Sequence, residues 1–473
     1  MDSQLERTTP QRAAHDLEPP DALVQFMSSD WIERPADRLA HPQLERFLRR
    51  RAALCAAYPG VYLVVPAGAK HVRANDEYFR FRPSSDFAYL TGGGEPDALL
   101  VFEPQGSDHR TRLFVAPHNR GTKAAFTDRI RGELWIGSHR GVEESKAYYG
   151  VDGCEPLDGV EAYLDALRSH RHATRVLRGA NAEIDARLPE GDGDAEFATH
   201  LSEMRLIKDE YEIAQLRLAV EITKRGFDDA IDALRTASTE REIETAFWRR
   251  ARIEANDTGY LTIAAAGAHA CTLHWTKNDG AIERGNLLLL DAGVECHSLY
   301  TADVTRTLPI GGGFSPEQRA VYEIVYEAQR AGIEACLPGN DFLEPNRAAM
   351  RVLAQGLVDL RVLRCSADDA LEPEHQYFKR YTLHNVSHML GIDVHDCARA
   401  RSEQYRYGTL RGGMALTVEP GLYFQPDDAT VPEALRGIGV RIEDDIVVTN
   451  DGCENLSAIL PSKADAVEAW VRS

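Results

Sequence analysis

Short apolar runs separated by turn residues set the rhythm of the chain from Gly60 onward. They read VYLVV at 61–65, DALLVF at 97–102, TRLFVA at 111–116 and GELWIG at 132–137, with Pro-Ala-Gly and Gly-Gly-Gly among the breakers. Runs of this length between such breakers predict strands. Helical segments around 43–57, 121–131 and 157–167 alternate with them, which predicts an α/β domain over 41–195 behind a polar, proline-containing arm over 1–40. The polar stretch ARLPEGDGDAEFATH at 186–200 predicts the boundary. The period then changes. Ile213, Leu216, Val220 and Phe227 form a helical stripe, and Thr239 with Glu242 has the spacing of a capping box before Ile243 and Phe247. Ser315, Pro316 and Gln318 open a further helix, striped by Val321, Ile324, Val325 and Ala328 and stopped by Leu337-Pro338-Gly339. Strands predicted at 260–265, 287–291, 302–308, 415–419 and 441–448 lie between helices. Their spacing predicts an antiparallel or mixed sheet faced by helices, so the second domain, over 200–473, is of the α+β kind.

The length of 473 residues agrees with two domains. A net charge of −20 disfavours nucleic acid and anionic membrane surfaces as partners. No apolar stretch approaches the roughly 20 residues of a membrane span, and the first residues lack a basic-then-apolar leader. The eight cysteines are scattered without CxxC pairing, so a reduced cytoplasm is expected. Neither GxGxxG nor GxxxxGK[ST] occurs, which removes the common phosphate-binding loops.

The chemistry concentrates in the last third. Asp291 ends the run LLLLD, Asp303 lies twelve residues on in LYTADVT, and Glu419 ends LTVE before Pro420. Carboxylates beside apolar strand ends are costly to bury unless a cation compensates them. His384, His388 and His395 fall within twelve residues; the first two would share one face if the segment were helical, and Gly391 argues against a long helix. Glu443 lies in VRIEDDIVV, where the alternatives are a ligand or an ion pair with Arg441 on the same side of a strand. Asp291, Asp303, His388, Glu419 and Glu443 together make four carboxylates and one imidazole. Oxygen-rich, sulfur-free ligation suits Mn²⁺ first, with Co²⁺ or Zn²⁺ as possible occupants. Two ions bridged by carboxylates suit amide hydrolysis, whereas single catalytic zinc sites use more histidine.

The chain closely resembles the aminopeptidase P and prolidase branch of the metallopeptidases with the pita-bread fold (the M24B family). The matching runs are LHW at 273–275, DAGVE at 291–295, TADVTRT at 301–307, HNVSHMLGIDVHD at 384–396, TVEPGLY at 417–423 and GVRIEDD at 439–445. The resemblance implies that Asp291 binds one ion, that His388 and Glu419 serve the other, and that Asp303 and Glu443 bridge them. It also implies that Glu419 relays a proton, that His274 and His395 hold the substrate near the scissile carbonyl, that His384 flanks the proline pocket and that Arg441 orients Glu443. The twelve-residue interval from Asp291 to Asp303 is one longer than in the commonest members; an extra residue in the turn or as a bulge leaves both carboxylates inward, whereas one placed mid-strand flips one of them. The run YFRFRPSSDFAYLTGGGEPDALLVF at 78–102 resembles the branch's N-terminal accessory domain. Asp86 within it matches a residue that reaches a neighbouring subunit's site near the substrate amino group. A homodimer or homotetramer is therefore implied.

The expected activity is that of an Xaa-Pro aminopeptidase, releasing the first residue of peptides with proline second. The alternative is an Xaa-Pro dipeptidase using the same chemistry in a pocket closed after the second residue.

Overall fold

Tyr62–Pro66 is apolar at almost every position because it is covered on both sides within a five-stranded mixed sheet. The order across that sheet is Gly153–Pro156, Asp108–Val115, Leu99–Gln105, Tyr62–Pro66 and Thr174–Val176. The computed structural model describes residues 18–32, 35–170 and 172–473. Two units are distinguished, Met1–Ala198 and Thr199–Ser473, and the division falls inside the helix Asp194–Met204. The polar segment at 186–200 thus includes a helix, with Phe197 and Leu201 buried.

In the first unit the inner sheet pairs are antiparallel, and the two outer strands join in parallel. Val64, Leu99, Val101 and Phe114 pack there on Leu164, Leu167 and Ile184 from the helices Val160–Ser169 and Ala182–Arg187. Of the arm over 1–40, residues 1–17 lie outside the described residues, and Asp21–Ser28 is a helix. GELWIG is not a strand. Glu133–Ile136 makes one helical turn, with Trp135 and Ile136 N–H both donating to Gly132 O. The buried Glu133 carboxylate fixes that turn by accepting from Arg120 N at 2.7 Å. The helix expected over 121–131 is confined to Ala124–Thr127, because Asp128 Oδ1 accepts from Ile130 and Arg131 N–H and turns the chain.

In the second unit, helix Glu210–Leu234 buries the predicted stripe at Leu216, Val220 and Phe227, while Ile213 in its first turn is only half-buried. It opens on a capping box between Asp209 and Glu212. The box at Ser315 and Gln318 is present, with Pro316 in the first turn of Pro316–Glu334. At Thr239 only half a box forms: Glu242 accepts from the Ser238 and Thr239 hydroxyls, and the Thr239 side chain caps nothing.

The named strand pairs in this unit are antiparallel. Thr305–Pro309, Leu287–Asp291 and Ile263–Ala266 form one sheet; Ala415–Val418, Asp444–Val448 and Cys453–Asn455 form another; Gly421–Tyr423 pairs with Gly439–Arg441. The single strand expected over 441–448 is therefore two, and Ile442 and Glu443 occupy the step between sheets.

Candidate metal centre

The hairpin that carries both aspartates keeps one register from end to end. Asp291 pairs with Thr305, Ala292 N–H donates to Val304 O, Ala302 N–H donates to Val294 O, and Glu295 bridges to Thr301. No bulge intervenes, so the length is taken up at the tip, where Leu299 adopts φ 69°. Side chains alternate along a strand, so Asp303 projects to the same face as Thr305 and hence as Asp291. Gly293 lies opposite Asp303; a Cβ there would stand 1.7 Å from Ala302 O, so only glycine permits this approach.

His384 and His388 are not on a helix. Their segment runs extended beside the strand Ala415–Val418 and the Glu419 that follows it: Leu390 N donates to Ala415 O, Thr417 N to His388 O, and Glu419 N to Val386 O. Residues four apart share a face in an extended chain as well, which directs both imidazoles toward Glu419. His384 Nδ1 lies 3.4 Å from Glu419 Oε2, and His388 Nε2 lies 3.6 Å from Glu419 Oε1 and 3.3 Å from Asp303 Oδ2.

Asp303, His388 and Glu443 offer ligand atoms that all lie within 4.8 Å of one another. His388 Nδ1 donates to Met389 O at 3.1 Å, which leaves Nε2 as the nitrogen facing the carboxylates. Asp291 accepts from Tyr260 Oη at 2.7 Å and from Arg441 Nη2. Glu443 Oε2 accepts from Thr305 Oγ1 at 2.6 Å. Arg441 thus differs from the expectation. Its carboxylate partner is Asp291, and it meets Glu443 only through Thr305, donating from Nε to the threonine hydroxyl at 3.1 Å.

Burial, with the charges of Asp303 and Glu419 close by, pushes the Glu443 carboxyl well above the ordinary range. Burial also raises Asp291 against the opposing pull of Arg441. Glu419 is pushed up to about 7 by burial, which outweighs the His388 charge and is reinforced by Asp303. His388 rises to about 9: burial opposes its charge, but the hydrogen bond to Asp303 and the Glu419 carboxylate prevail. These shifts have one physical meaning. Four carboxylates are gathered with too little positive charge, and the oxygen-rich donor set fits divalent cations.

The histidines around the cluster differ in character. His384 is lowered to about 4 by burial and by Arg441. The Arg441 Nη1 donates to Tyr423 Oη at 3.0 Å, and that hydroxyl lies 2.8 Å from His384 Nε2, where it donates to the neutral ring. His395 is exposed, with its ring 4.3 Å from that of His388 and nearly perpendicular to it. His274 is also exposed and lies close enough to influence the charge of both His384 and His395. Asp86 belongs to the first unit, in the first turn of the helix Ser85–Thr91.

Several supporting residues escaped the sequence reading. Asp445 receives Asp303 N–H at 3.2 Å, and Arg306, fully buried, uses all its donors. They go to Pro461 O, Thr305 O, Glu443 O, Leu460 O and Asp444 Oδ1. Arg306 and Asp445 were inside the quoted runs TADVTRT and GVRIEDD, where an arginine and a second aspartate in apolar strands were the available signal. Tyr260 and Tyr423 carried no such signal.

The family described as metallopeptidase family M24 matches residues 214–450, and the aminopeptidase P N-terminal domain matches residues 47–177. The chain is 48% identical over 457 residues to Xaa-Pro aminopeptidase 1 of Streptomyces coelicolor, covering 95% of this chain and 92% of that protein. It is 33% identical over 447 residues to the Xaa-Pro aminopeptidase of Escherichia coli, covering 90% and 97%. Among solved structures, E. coli aminopeptidase P with the inhibitor Pro-Leu superposes with a TM-score of 0.83 at 32% identity, over 92% of this chain and 99% of that one. Pseudomonas aeruginosa aminopeptidase PepP gives 0.82 at 34% identity, over 92% and 99%.

Proposed function

This chain belongs to metallopeptidase family M24, and on that premise we propose that it is an Xaa-Pro aminopeptidase, hydrolysing the first peptide bond of peptides with proline second. The observation that carries the reading is the cluster of Asp303, His388 and Glu443, whose ligand atoms lie within 4.8 Å of one another, with the half-buried Glu419 3.6 Å from His388 and the buried Asp291 adding negative charge that is unbalanced without cations. Asp291, Asp303, His388, Glu419 and Glu443 would hold two divalent ions, with Asp303 and Glu443 serving both. The donor chemistry favours Mn²⁺, then Co²⁺ or Zn²⁺. When bound, such a pair lowers the pKa of water and polarises a carbonyl.

The side chains then divide the work. Glu419, with Oε2 3.4 Å from His384 Nδ1, is placed for general base and acid duty. It takes a proton from the attacking water and delivers it to the proline nitrogen as the C–N bond breaks. His395 and His274 offer N–H groups to the carbonyl oxygen as negative charge develops on it. His384, held neutral, lines the side that receives proline, and Arg441 holds Asp291 in place. Asp86 pairs with the substrate ammonium, supplied by a neighbouring subunit of a homodimer or homotetramer.

The domain assignment that accompanies this reading is an arm over 1–40, an accessory domain over 41–195 and a catalytic domain over 200–473. Leu134, Trp135 and Ile136, all exposed, form an apolar run of the kind that protein contacts cover, which supports an oligomer. No helix of the described residues is long and apolar enough to cross a membrane. The cytoplasm is the compartment in which eight free thiols stay reduced.

Turnover of Xaa-Pro dipeptides and Xaa-Pro-Xaa tripeptides by the Mn²⁺-loaded protein tests the assignment. Tripeptides should be cleaved after the first residue. Cleavage of dipeptides with no activity on longer peptides would make the protein a dipeptidase instead.

A further inference from the structure

Glu240 is the first residue of the helix Glu240–Glu254, and its side chain is completely buried. A carboxylate in that position is stable only if its oxygens are fully engaged. Each oxygen has two donors. Oε1 accepts from Ala266 N at 2.7 Å and lies 2.9 Å from His269 Nδ1; Oε2 accepts from Trp275 Nε1 at 2.8 Å and Gly280 N at 2.7 Å. An ionised carboxylate only accepts, so His269 carries its proton on Nδ1.

All four donors belong to one stretch, Ala266 to Gly280, and His274 lies inside it. Glu240 N–H also donates to Gly280 O at 3.0 Å, closing the far end of the loop. Gly280 admits no side chain: a Cβ would stand 2.6 Å from the His269 ring and 2.8 Å from Glu240 Cδ. The His269 and Trp275 rings stack with centroids 3.8 Å apart, so the residue next to His274 is held both by its indole N–H and by its ring face. The loop has little regular structure beyond the 3-10 turn Gly267–Cys271, so this carboxylate replaces the backbone ladder that would otherwise define its shape.

We propose that Glu240 is a positioning residue for His274: it fixes the 266–280 loop from both ends so that the exposed His274 imidazole is presented to the substrate carbonyl. This rests on the reading of His274 as a substrate-facing histidine. Glu240 touches neither the metal-ligand cluster nor substrate and acts through the loop alone.

Glu240→Gln keeps the shape but replaces one acceptor oxygen by an NH₂ group, which sets two of the four donors against a donor. Hydrogen exchange of the full-length protein reads the loop directly, because the Ala266 and Gly280 amides are themselves donors to Glu240. Both should exchange roughly ten- to a hundredfold faster, the equivalent of losing a hydrogen bond to a charged group, while the helix Pro316–Glu334 keeps its protection. Activity should fall about tenfold or more, mainly in kcat, in keeping with the cost of a misplaced catalytic group. In a His274→Ala background the same substitution should change kcat by less than about twofold, since the residue it positions is gone. Trp275→Phe, which removes one donor and keeps the stack, should show the same pattern at smaller size and carries the test should Glu240→Gln not fold. Unchanged loop exchange, or losses that multiply in the double variant, would overturn the proposal. A parent protein inactive on Xaa-Pro peptides would defeat the substrate assignment alone, because the exchange measurement needs no substrate.

Discussion

Thr305 lies directly across the hairpin from Asp291, and its hydroxyl donates to Glu443 Oε2 at 2.6 Å while accepting from Arg441 Nε at 3.1 Å. The hydroxyl therefore orients a proposed bridging carboxylate without touching an ion itself. Thr305→Val is nearly isosteric, so it removes the hydrogen bonds and little packing. Residues that orient metal ligands are typically worth 10–100-fold in metal affinity, and a loss of about that size is expected at Mn²⁺ titration. Asp303→Ala or Glu443→Ala should go further and abolish both metal retention and turnover. An unchanged Mn²⁺ affinity in Thr305→Val would remove the threonine from this role.

What the sequence made legible follows from the range of the interactions. The strand ending at Asp291, the helix opened by Ser315 and the stripe of Glu210–Leu234 depend on neighbours a few residues away, and their patterns are visible in the chain. The five proposed ligands stood out because a carboxylate or imidazole in an apolar run is expensive. The partners of those groups did not. Arg441 and Asp291 are 150 positions apart, and nothing local distinguishes that pairing from the nearer Glu443. The GELWIG run failed for a related reason. Its composition suits a strand, but among the described residues no partner strand pairs with it, and the buried Glu133 carboxylate decides its shape. Glu240 was illegible because its four donors are 26 to 40 positions away.

The charge imbalance of the cluster gives the metal-free protein a distinctive pH dependence. His388 has its folded pKa raised from 6.5 to about 9, so its stabilising contribution is complete below pH 6.5 and is lost as pH rises through about 9. Glu419 is raised from 4.5 to about 7, so its ionisation disfavours the folded state increasingly between those values. From pH 7 to 9 the loss of the His388 proton lowers stability, and the Tm of chelator-treated protein should fall over that interval. Divalent ions remove the excess negative charge, so the loaded protein should lose much less. Calorimetry with and without chelator checks this, and parallel curves would contradict the imbalance.

His395 stays accessible beside His388, and partial desolvation of its ring, with the His388 charge, lowers it and favours the neutral form. Its role as a donor to the developing oxyanion predicts that His395→Ala lowers kcat by roughly 10²–10³. Its KM should change little, because the interaction strengthens only in the transition state. Metal content should stay at the parent level. A variant with unchanged kcat and a raised KM would make His395 a binding residue only.

Asp86 sits in the first turn of the helix Ser85–Thr91, capped by Ser84, whose hydroxyl accepts from Phe87 N. Phe87, Ala88, Tyr89 and Leu90 are buried behind it, so the turn that carries the carboxylate is well anchored and Asp86→Ala should leave the fold intact. Its proposed partner is the protonated amino terminus of the substrate, and a charge-assisted pair of that kind disappears once the amine is acylated. The variant should therefore lose activity on free-amino peptides while keeping its metals. Amino-acetylated peptides should be poor substrates for the parent and unaffected by the substitution. If a neighbouring subunit supplies Asp86, mixing Asp86→Ala with an inactive Glu419→Ala protein should restore activity, since each subunit lacks what the other provides. Sedimentation should show a dimer or tetramer at the assay concentration. Full activity in a monomeric preparation would exclude a required contribution from a second subunit.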